Sequence, residues 1–204
     1  MNNRSLIIFG IILLLFLALF AFGPRRNITN YPSNGTDIIA YGDSLVQGVG
    51  SSSGNDFISL LSKKIQRPII NLGHKGDTTY DGLERLNVVN NYNPKVVLLL
   101  LGGNDYLKKI SKDETEINLA KLIKSFQSKG AIVILLGVRG GLIQDNFKSM
   151  YKRLSKQYGT AYVDDVLSGL IWNTNYMSDA VHPNDAGYAL IAQKVYPILD
   201  KVIR

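Results

Sequence analysis

Ser44 lies where a chain can present a catalytic hydroxyl. It belongs to the run Gly42-Asp43-Ser44-Leu45, directly behind the apolar residues 38–41, which predict a strand that ends at the rim of a sheet. A serine hydroxyl is almost inert at neutral pH, so nucleophilic catalysis also requires a general base, a group that orients the base, and donors for an oxyanion. The structural alternative is a serine that caps a helix.

The chain has two histidines, and one of them follows a carboxylate at short range. His182 lies in the run Asp179-Ala-Val-His182-Pro183, so one turn of chain brings the Asp179 carboxylate and the imidazole to one site. A carboxylate on the second ring nitrogen holds the tautomer that a general base requires. A lone loop histidine that starts the last helix is the alternative. His74 has no carboxylate at a matching offset, although Asp77 is near, and a substrate contact is a disfavoured role for it.

Four ordered blocks resemble those of the SGNH (GDSL) hydrolase family, and with their surroundings they span about residues 38–188. The blocks are Gly42-Asp43-Ser44-Leu45, Gly76-Asp77-Thr78, Gly102-Gly103-Asn104-Asp105 and Asp179-Ala-Val-His182-Pro183-Asn184. Their surroundings look most like the bacterial branch of thioesterases, lysophospholipases and arylesterases. The resemblance implies a Ser44 nucleophile, a His182 base oriented by Asp179, and an acyl-serine intermediate.

The same resemblance implies an oxyanion hole made by the backbone N–H groups of Ser44 and Gly76 and by the side-chain amide of Asn104. Glycine suits its position physically, because a substrate carbonyl must approach the main chain closely and a Cβ would obstruct it. Gly73, three residues earlier, is the less favoured donor. The structural alternatives are Gly76 as an ordinary turn residue and Asn104 as the cap of the next helix.

Short apolar runs alternate with helical patterns from residue 37 onward. Strands are expected at residues 38–41, 69–72, 96–101, 131–136 and 161–163. Runs that are apolar on both faces predict a buried parallel sheet. We therefore expect an α/β fold, a three-layer α/β/α sandwich with five parallel strands in the flavodoxin-like order 2-1-3-4-5. In such a sheet Ser44, Gly76 and Asn104, which follow strands one to three, converge at one edge.

Helices are predicted from apolar residues at three- and four-residue spacing. One stripe lies within residues 119–126 and another within 147–158. Ser111 and Glu114 fit a capping box before the first of these helices, and Gly130 is a plausible stop after it. Pro197 is expected to break or kink the final helix, so that residues 197–203 form a separate turn.

The first 26 residues are expected to be a membrane anchor or a signal sequence. Residues 6–22 carry no charge or strong polar group, and they are bounded by Arg4 on one side and Arg25-Arg26 on the other. Pro24 disfavours cleavage after Gly23, which favours an uncleaved N-terminal transmembrane helix. The resemblance favours a catalytic domain that faces the bacterial envelope, or a secreted one if the segment is cleaved. Residues 27–36 are expected to be a linker, and residues 37–204 the hydrolase domain.

Composition excludes several kinds of site. The chain has no cysteine, so disulfides, thiolate metal sites and a cysteine nucleophile are excluded. The net charge of +7 includes the three arginines beside the apolar segment, and no basic run with interleaved aromatics indicates a nucleic-acid partner. Gly48-Val-Gly50 lacks the third glycine of a dinucleotide fingerprint, because Ser53 stands in its place. No cofactor is expected, and no metal, since no His, Asp and Glu cluster has ligand spacing.

The expected function is that of a serine ester hydrolase of the carboxylesterase, lysophospholipase or acyl thioesterase type. Its substrate would be a small acyl ester, lysolipid or thioester. One alternative is an O-deacetylase or acyltransferase that acts on envelope carbohydrates, and a less favoured one is a catalytically silent, membrane-tethered binding domain. The membrane is an expected partner through the N-terminal segment, nucleic acid is not, and the chain is expected to be a monomer.

Overall fold

Five strands form one parallel sheet in the residues that the structure, a computed structural model, describes, which are 28–139 and 146–204. The strands are β1 (Asp37–Gly42), β2 (Ile70–Gly73), β3 (Pro94–Leu100), β4 (Ile132–Leu136) and β5 (Ala161–Val163). Their order is β2-β1-β3-β4-β5, and every neighbouring pair is parallel. The predicted sheet and its strand order are confirmed.

Helices cover both faces of this sheet. They are α1 (Ser44–Gln47), α2 (Phe57–Ile65), α3 (Thr79–Glu84), α4 (Gly103–Leu107), α5 (Lys112–Ser128), α6 (Asn146–Tyr158) and α7 (Asp185–Ile203), with a 3₁₀ turn at Leu86–Asn91. Alternate residues of β3 belong to two separate apolar clusters. Val96 and Leu98 pack in one cluster with residues of α2 and α7, and Val97 and Leu99 pack in the other with residues of α5 and α6. This two-sided burial explains why β3 is apolar along its length, and it gives the expected three layers.

The start and stop residues predicted for α5 are found in the structure, where the Ser111 half of the capping box is formed. Ser111 is the N-cap, and its hydroxyl accepts a hydrogen bond from the Glu114 N–H at 3.2 Å. Gly130 follows the helix with a φ of +79°, a conformation that a residue with a Cβ rarely adopts. Leu119 and Phe126 of the predicted stripe are fully buried. The stripe therefore faces the core, as its spacing predicts.

Pro197 does not end the last helix, so that prediction was wrong. The helix α7 continues from Asp185 to Ile203 with Pro197 inside it. Proline removes the N–H that would bond to the carbonyl of Gln193, but both residues are exposed, so water can satisfy that carbonyl. Val195 and Leu199 are buried on either side of the proline and hold both halves of the helix against the sheet.

The stretch that the sequence predicts as a linker lies against the domain. The Thr29 N–H donates to the Gly159 carbonyl at 2.9 Å, and the Ser33 hydroxyl donates to the Gly130 carbonyl at 2.7 Å. These acceptors come just before β5 and β4, at the amino ends of the strands. Residues 28–36 are therefore packed along the sheet edge opposite Ser44, because their polar groups satisfy carbonyls that precede the strands.

The predicted N-terminal anchor, residues 1–26, lies outside the described residues. Within residues 28–139 and 146–204, no helix has the length and apolar character needed to cross a membrane. The anchor, its cleavage and the membrane side of the domain stay predictions.

Candidate active site

Ser44 lies at the carboxyl end of β1, at the first position of α1. The N-cap of this helix is Asp43, whose carboxylate accepts the Leu45 N–H at 3.0 Å. Because its neighbour supplies the cap, the Ser44 hydroxyl is left for other chemistry. Its Oγ lies 3.0 Å from Nε2 of His182, although the two residues are 138 positions apart in the sequence. The structure thus brings the predicted nucleophile and base together.

Asp179 holds the loop and the ring of His182 together. Its Oδ2 lies 2.7 Å from Nδ1 of the ring, and its Oδ1 accepts the backbone N–H groups of Val181 and His182, each at 2.8 Å. The hydrogen bond from the His182 side chain, followed by that from the Val181 N–H, lowers the pKa of the Asp179 carboxyl to about 2. An ionised Asp179 keeps the ring proton on Nδ1, so Nε2 can accept the proton of Ser44.

Three hydrogen-bond donors meet in front of Ser44. Gly76 has a φ of +88°, and a Cβ built on it would meet no heavy atom within 4 Å, so its backbone borders open space. Within the described part of the chain, the N–H groups of Ser44 and Gly76 have no backbone acceptor. The Asn104 amide donates one hydrogen to the Asp77 carbonyl at 2.9 Å, which leaves its second hydrogen available. All three donor residues line one cavity together with His182.

The helix-cap alternative for Asn104 differs from what is observed. Asn104 is the second residue of α4, and the N-cap is Gly102, which makes no side-chain cap. Gly73 packs against α1, because a Cβ on it would lie 2.2 Å from the Gln47 backbone nitrogen. Gly76, and not Gly73, borders the cavity. This geometry agrees with the preference for Gly76 as the donor.

The cavity has a volume of about 550 Å³ and an apolar mouth. Four of the large apolar side chains exposed on the described surface line it, namely Tyr106, Leu107, Trp172 and Val181. Trp172 is the most exposed of them, at 74%. Folded domains normally scatter exposed apolar side chains, so their concentration at one mouth indicates an apolar ligand. Arg139 also lines the cavity, and its Nε lies 3.1 Å from the Asp165 carboxylate.

Comparison with known proteins agrees with the four blocks of sequence. Residues 40–190 match the model of the GDSL-like lipase/acylhydrolase family. The chain belongs to this family. Esterase TesA of Pseudomonas aeruginosa is 28% identical over 178 residues, which are 81% of this chain and 89% of that protein. Thioesterase 1/protease 1/lysophospholipase L1 of Escherichia coli is 27% identical over 164 residues, which are 76% and 79% of the two chains.

The fold of this GDSL-family chain is also that of a solved relative. A crystal structure of TesA superposes with a TM-score of 0.76 at 27% identity, and the match covers 82% of this chain and 99% of that chain. The family match and the esterase and thioesterase relatives support one general activity. The chain is a hydrolase that acts on ester bonds.

The loop after α1 holds the histidine of this GDSL-family site in place, which the sequence did not predict. Gly50 has a φ of +96°, and a Cβ on it would lie 2.3 Å from Oγ of Ser178 and 2.5 Å from the Pro183 carbonyl oxygen. The Tyr188 hydroxyl donates to the Val49 carbonyl at 2.8 Å and fixes the same loop from below. The glycines that fail as a dinucleotide fingerprint therefore allow close packing beside His182. In the sequence, the feature that could have indicated this packing is the pair Gly48 and Gly50 soon after Ser44.

Two buried acids of the same blocks, Asp43 and Asp105, lie next to Ser44 and Asn104 in the sequence. Desolvation raises the pKa of Asp43 to about 7. Asp105 accepts the Thr79 N–H at 2.9 Å and the hydroxyls of Thr79 and Thr115, which ties α4 to α3. Asn104 is the neighbour of Asp105, so this network fixes the position of the backbone that carries the Asn104 amide. Both acids were visible in the sequence only as members of their blocks.

His74 differs from its prediction, because it does have a carboxylate partner. Its Nδ1 lies 2.6 Å from Oδ1 of Asp77, and the other carboxylate oxygen accepts from Nε of Arg85. A turn closed by the Asp77 N–H and the His74 carbonyl, at 3.3 Å, brings the two side chains together. Lys75 and Gly76 of this turn line the cavity, whereas His74 does not. The structure therefore gives His74 a contact within the turn and leaves it outside the lining of the cavity, in line with the disfavoured substrate contact.

Proposed function

We propose that the chain hydrolyses carboxylic esters or thioesters through a covalent acyl-Ser44 intermediate. In the first step Oγ of Ser44 attacks the carbonyl carbon while its proton passes to Nε2 of His182, 3.0 Å away. The ionised Asp179, 2.7 Å from Nδ1, stabilises the imidazolium that forms. As the bond from the acyl carbon to the leaving oxygen or sulfur breaks, Nε2 returns its proton to the leaving group.

The three donors would bind the negative charge on the carbonyl oxygen. The N–H groups of Ser44 and Gly76 and the amide of Asn104 are held before substrate arrives, since the amide is already oriented by its bond to the Asp77 carbonyl. In the second step Nε2 takes a proton from water while the water oxygen attacks the acyl carbon. The ester bond to Ser44 then breaks, the carboxylic acid leaves, and the serine regains its proton.

We assign the apolar mouth of the cavity to the acyl part of the substrate. A volume of about 550 Å³ lies within the range of small-molecule sites, and Tyr106, Leu107 and Trp172 offer apolar contact around it. The two relatives are named esterase and thioesterase/lysophospholipase, which fits ligands of this kind. An acetyl group on a sugar would leave much of this apolar surface uncovered, so the mouth favours a longer acyl chain.

The relay from Ser44 through His182 to Asp179 carries the proposal, and turnover of a substrate panel tests it. Residues 27–204 suit this test, because the part of this chain that matches TesA covers 99% of that solved chain. The panel contains p-nitrophenyl esters from acetate to palmitate, palmitoyl-CoA, lysophosphatidylcholine and an acetylated sugar. Ser44→Ala serves as the blank, and Ser128→Ala, an exposed serine at the end of α5, is the matched control.

Turnover that disappears in Ser44→Ala and persists in Ser128→Ala supports the proposal, and the preferred substrate identifies the branch. A fluorophosphonate adduct on Ser44, found by peptide mass, would report the covalent step directly. Ester turnover that survives in Ser44→Ala would refute the acyl-serine step. Turnover of the acetylated sugar alone would replace the proposed substrate class by a deacetylase.

We further propose that the domain is anchored at the membrane and faces the envelope. The apolar residues 6–22 support the anchor, and residue 28 enters the domain at the sheet edge opposite the cavity. An anchored domain would then open its cavity away from the bilayer that holds it. The chain has no cysteine, so a single Lys121→Cys on the exposed face of α5 reports the side. Labelling by an impermeant maleimide in intact cells is expected, and labelling only after lysis would contradict the envelope side.

A further inference from the structure

We propose that Asp77 positions two of the three oxyanion donors at once, and that Arg85 holds Asp77 in place for that purpose. The inference rests on the proposed acyl-serine mechanism. Neither side chain lines the cavity, so both are positioning residues that act through Gly76 and Asn104. The evidence is the set of hydrogen bonds that meet at Asp77.

The backbone of Asp77 connects two separate donors. Its N–H donates to the His74 carbonyl at 3.3 Å, which closes the turn that holds Gly76 at a φ of +88°. Its carbonyl accepts the Asn104 amide at 2.9 Å, and this bond fixes the direction of the second amide hydrogen. A small shift or rotation of Asp77 would therefore misplace the Gly76 N–H and the Asn104 amide together.

The guanidinium of Arg85 ties Asp77 to the rigid part of the sheet. Its Nε donates to the Asp77 carboxylate, its Nη1 donates to the Leu72 carbonyl at 3.0 Å, and its Nη2 donates to the Gly42 carbonyl at 2.8 Å. Those carbonyls lie at the carboxyl ends of β2 and β1, beside the nucleophile. The guanidinium carbon also lies 4.2 Å from the ring centroid of Tyr41. One planar group thus joins the oxyanion turn to both strands in a fixed direction.

Burial makes this connection hard to replace. The Asp77 side chain is only 6% exposed, whereas that of its second partner, His74, is 71% exposed. A charge so buried requires a well-placed partner, and an exposed imidazole screened by water is the weaker of the two. Arg85 therefore carries most of the positioning. Lysine would keep the positive charge but could not make three directed bonds in one plane.

Arg85→Lys in residues 27–204 tests the inference with a short p-nitrophenyl ester. Because a misplacement of about 1 Å costs on the order of a hundredfold in rate, we expect kcat to fall about tenfold to a hundredfold, with KM within about twofold. The matched control is Arg153→Lys, which makes the same change in an arginine paired with Glu116 on the surface, Nη2 to Oε2 at 2.6 Å. Arg153→Lys should keep the parent kcat.

A double variant separates positioning from a general loss of structure. If Arg85 acts through both donors, Arg85→Lys should cost less in an Asn104→Ala background than in the parent, because the amide is already gone and only the Gly76 N–H remains to be misplaced. An equal fold-loss in both backgrounds would overturn the inference, as would a kcat within twofold of the parent in Arg85→Lys.

A second variant, at the exposed residue His74, tests the same inference if Arg85→Lys does not fold. His74→Gln removes the weaker partner of Asp77 at the surface. We expect kcat to fall a few-fold with KM unchanged, because Asp77 and the two donors would be displaced less than in Arg85→Lys. An unchanged kcat there would count against the inference. All these readings require Ser44-dependent turnover in the parent, so failure of the proposed function would be seen first, in the Ser44→Ala blank.

Discussion

Replacing Gly50 by alanine tests whether the loop after α1 sets the catalytic geometry. The new Cβ would lie 2.3 Å from Oγ of Ser178 and 2.5 Å from the Pro183 carbonyl oxygen, where ordinary contact begins at 3.4 Å. The Ser178 side chain can rotate away, but the Pro183 carbonyl can move only with the chain beside His182. The contact therefore requires a backbone shift of about 1 Å in the histidine loop.

Such a shift would break the relay. The distance from Oγ of Ser44 to Nε2 of His182 is 3.0 Å, and a displacement of about 1 Å takes it beyond hydrogen-bond range. We expect kcat to fall by about a hundredfold, which is the typical cost of a misplacement of this size. Alanine at a φ of +96° also costs about 1 to 2 kcal/mol of folding stability, because its Cβ is crowded there.

Gly130→Ala is the matched control for Gly50→Ala. Gly130 has a φ of +79°, but no heavy atom lies within 4 Å of its ideal Cβ, and it precedes β4 at the opposite edge of the sheet. It should lose a similar amount of thermal stability and keep its kcat. The assay is turnover of a short p-nitrophenyl ester together with the thermal midpoint of each variant. A kcat for Gly50→Ala within twofold of the parent, or an equal kcat loss in Gly130→Ala, would refute the reasoning.

Four further outcomes are expected at the site. Burial raises the pKa of Asp43 to about 7, so its contribution to stability is full below about pH 4 and is lost as the pH rises to 7. The thermal midpoint of Asp43→Asn minus that of the parent should therefore increase as the pH rises from 4 to 7. A difference that does not change with pH would contradict this. Asn104→Ala should lower kcat by about a hundredfold or more with little change in KM, whereas an unchanged kcat would remove the amide from the oxyanion hole. Trp172 is the chain's single tryptophan, so a long-chain ester bound to Ser44→Ala should shift its emission to the blue and an acetate ester should not. Trp172→Ala should lower the ratio of kcat/KM for palmitoyl esters to kcat/KM for acetyl esters by about tenfold. Ile117→Ala, at an exposed position away from the cavity, should leave this ratio unchanged.

The hydrophobic pattern predicted the sheet well because each strand is apolar on the faces that the helices cover. β3 is apolar on both faces, and the structure packs its two faces into separate clusters. The pattern failed at Pro197, since the cost of a proline depends on whether the orphaned carbonyl reaches water. Residues 28–36 have the polar composition of a linker but lie against the domain, where the Thr29 N–H and the Ser33 hydroxyl donate to carbonyls before β5 and β4. Neither outcome depends on local residue type alone.

Residue types, their order along the chain and the family resemblance were sufficient to predict which residues meet around Ser44, because parallel strands end at one edge of the sheet and bring Ser44 and Asn104 together. The supporting contacts required the tertiary structure. Arg85 reaches the Gly42 carbonyl across 43 positions, and Gly50 packs beside a loop more than a hundred residues away. Contacts between such distant segments depend on how the elements pack in the folded chain, and they produce no periodic pattern in the sequence.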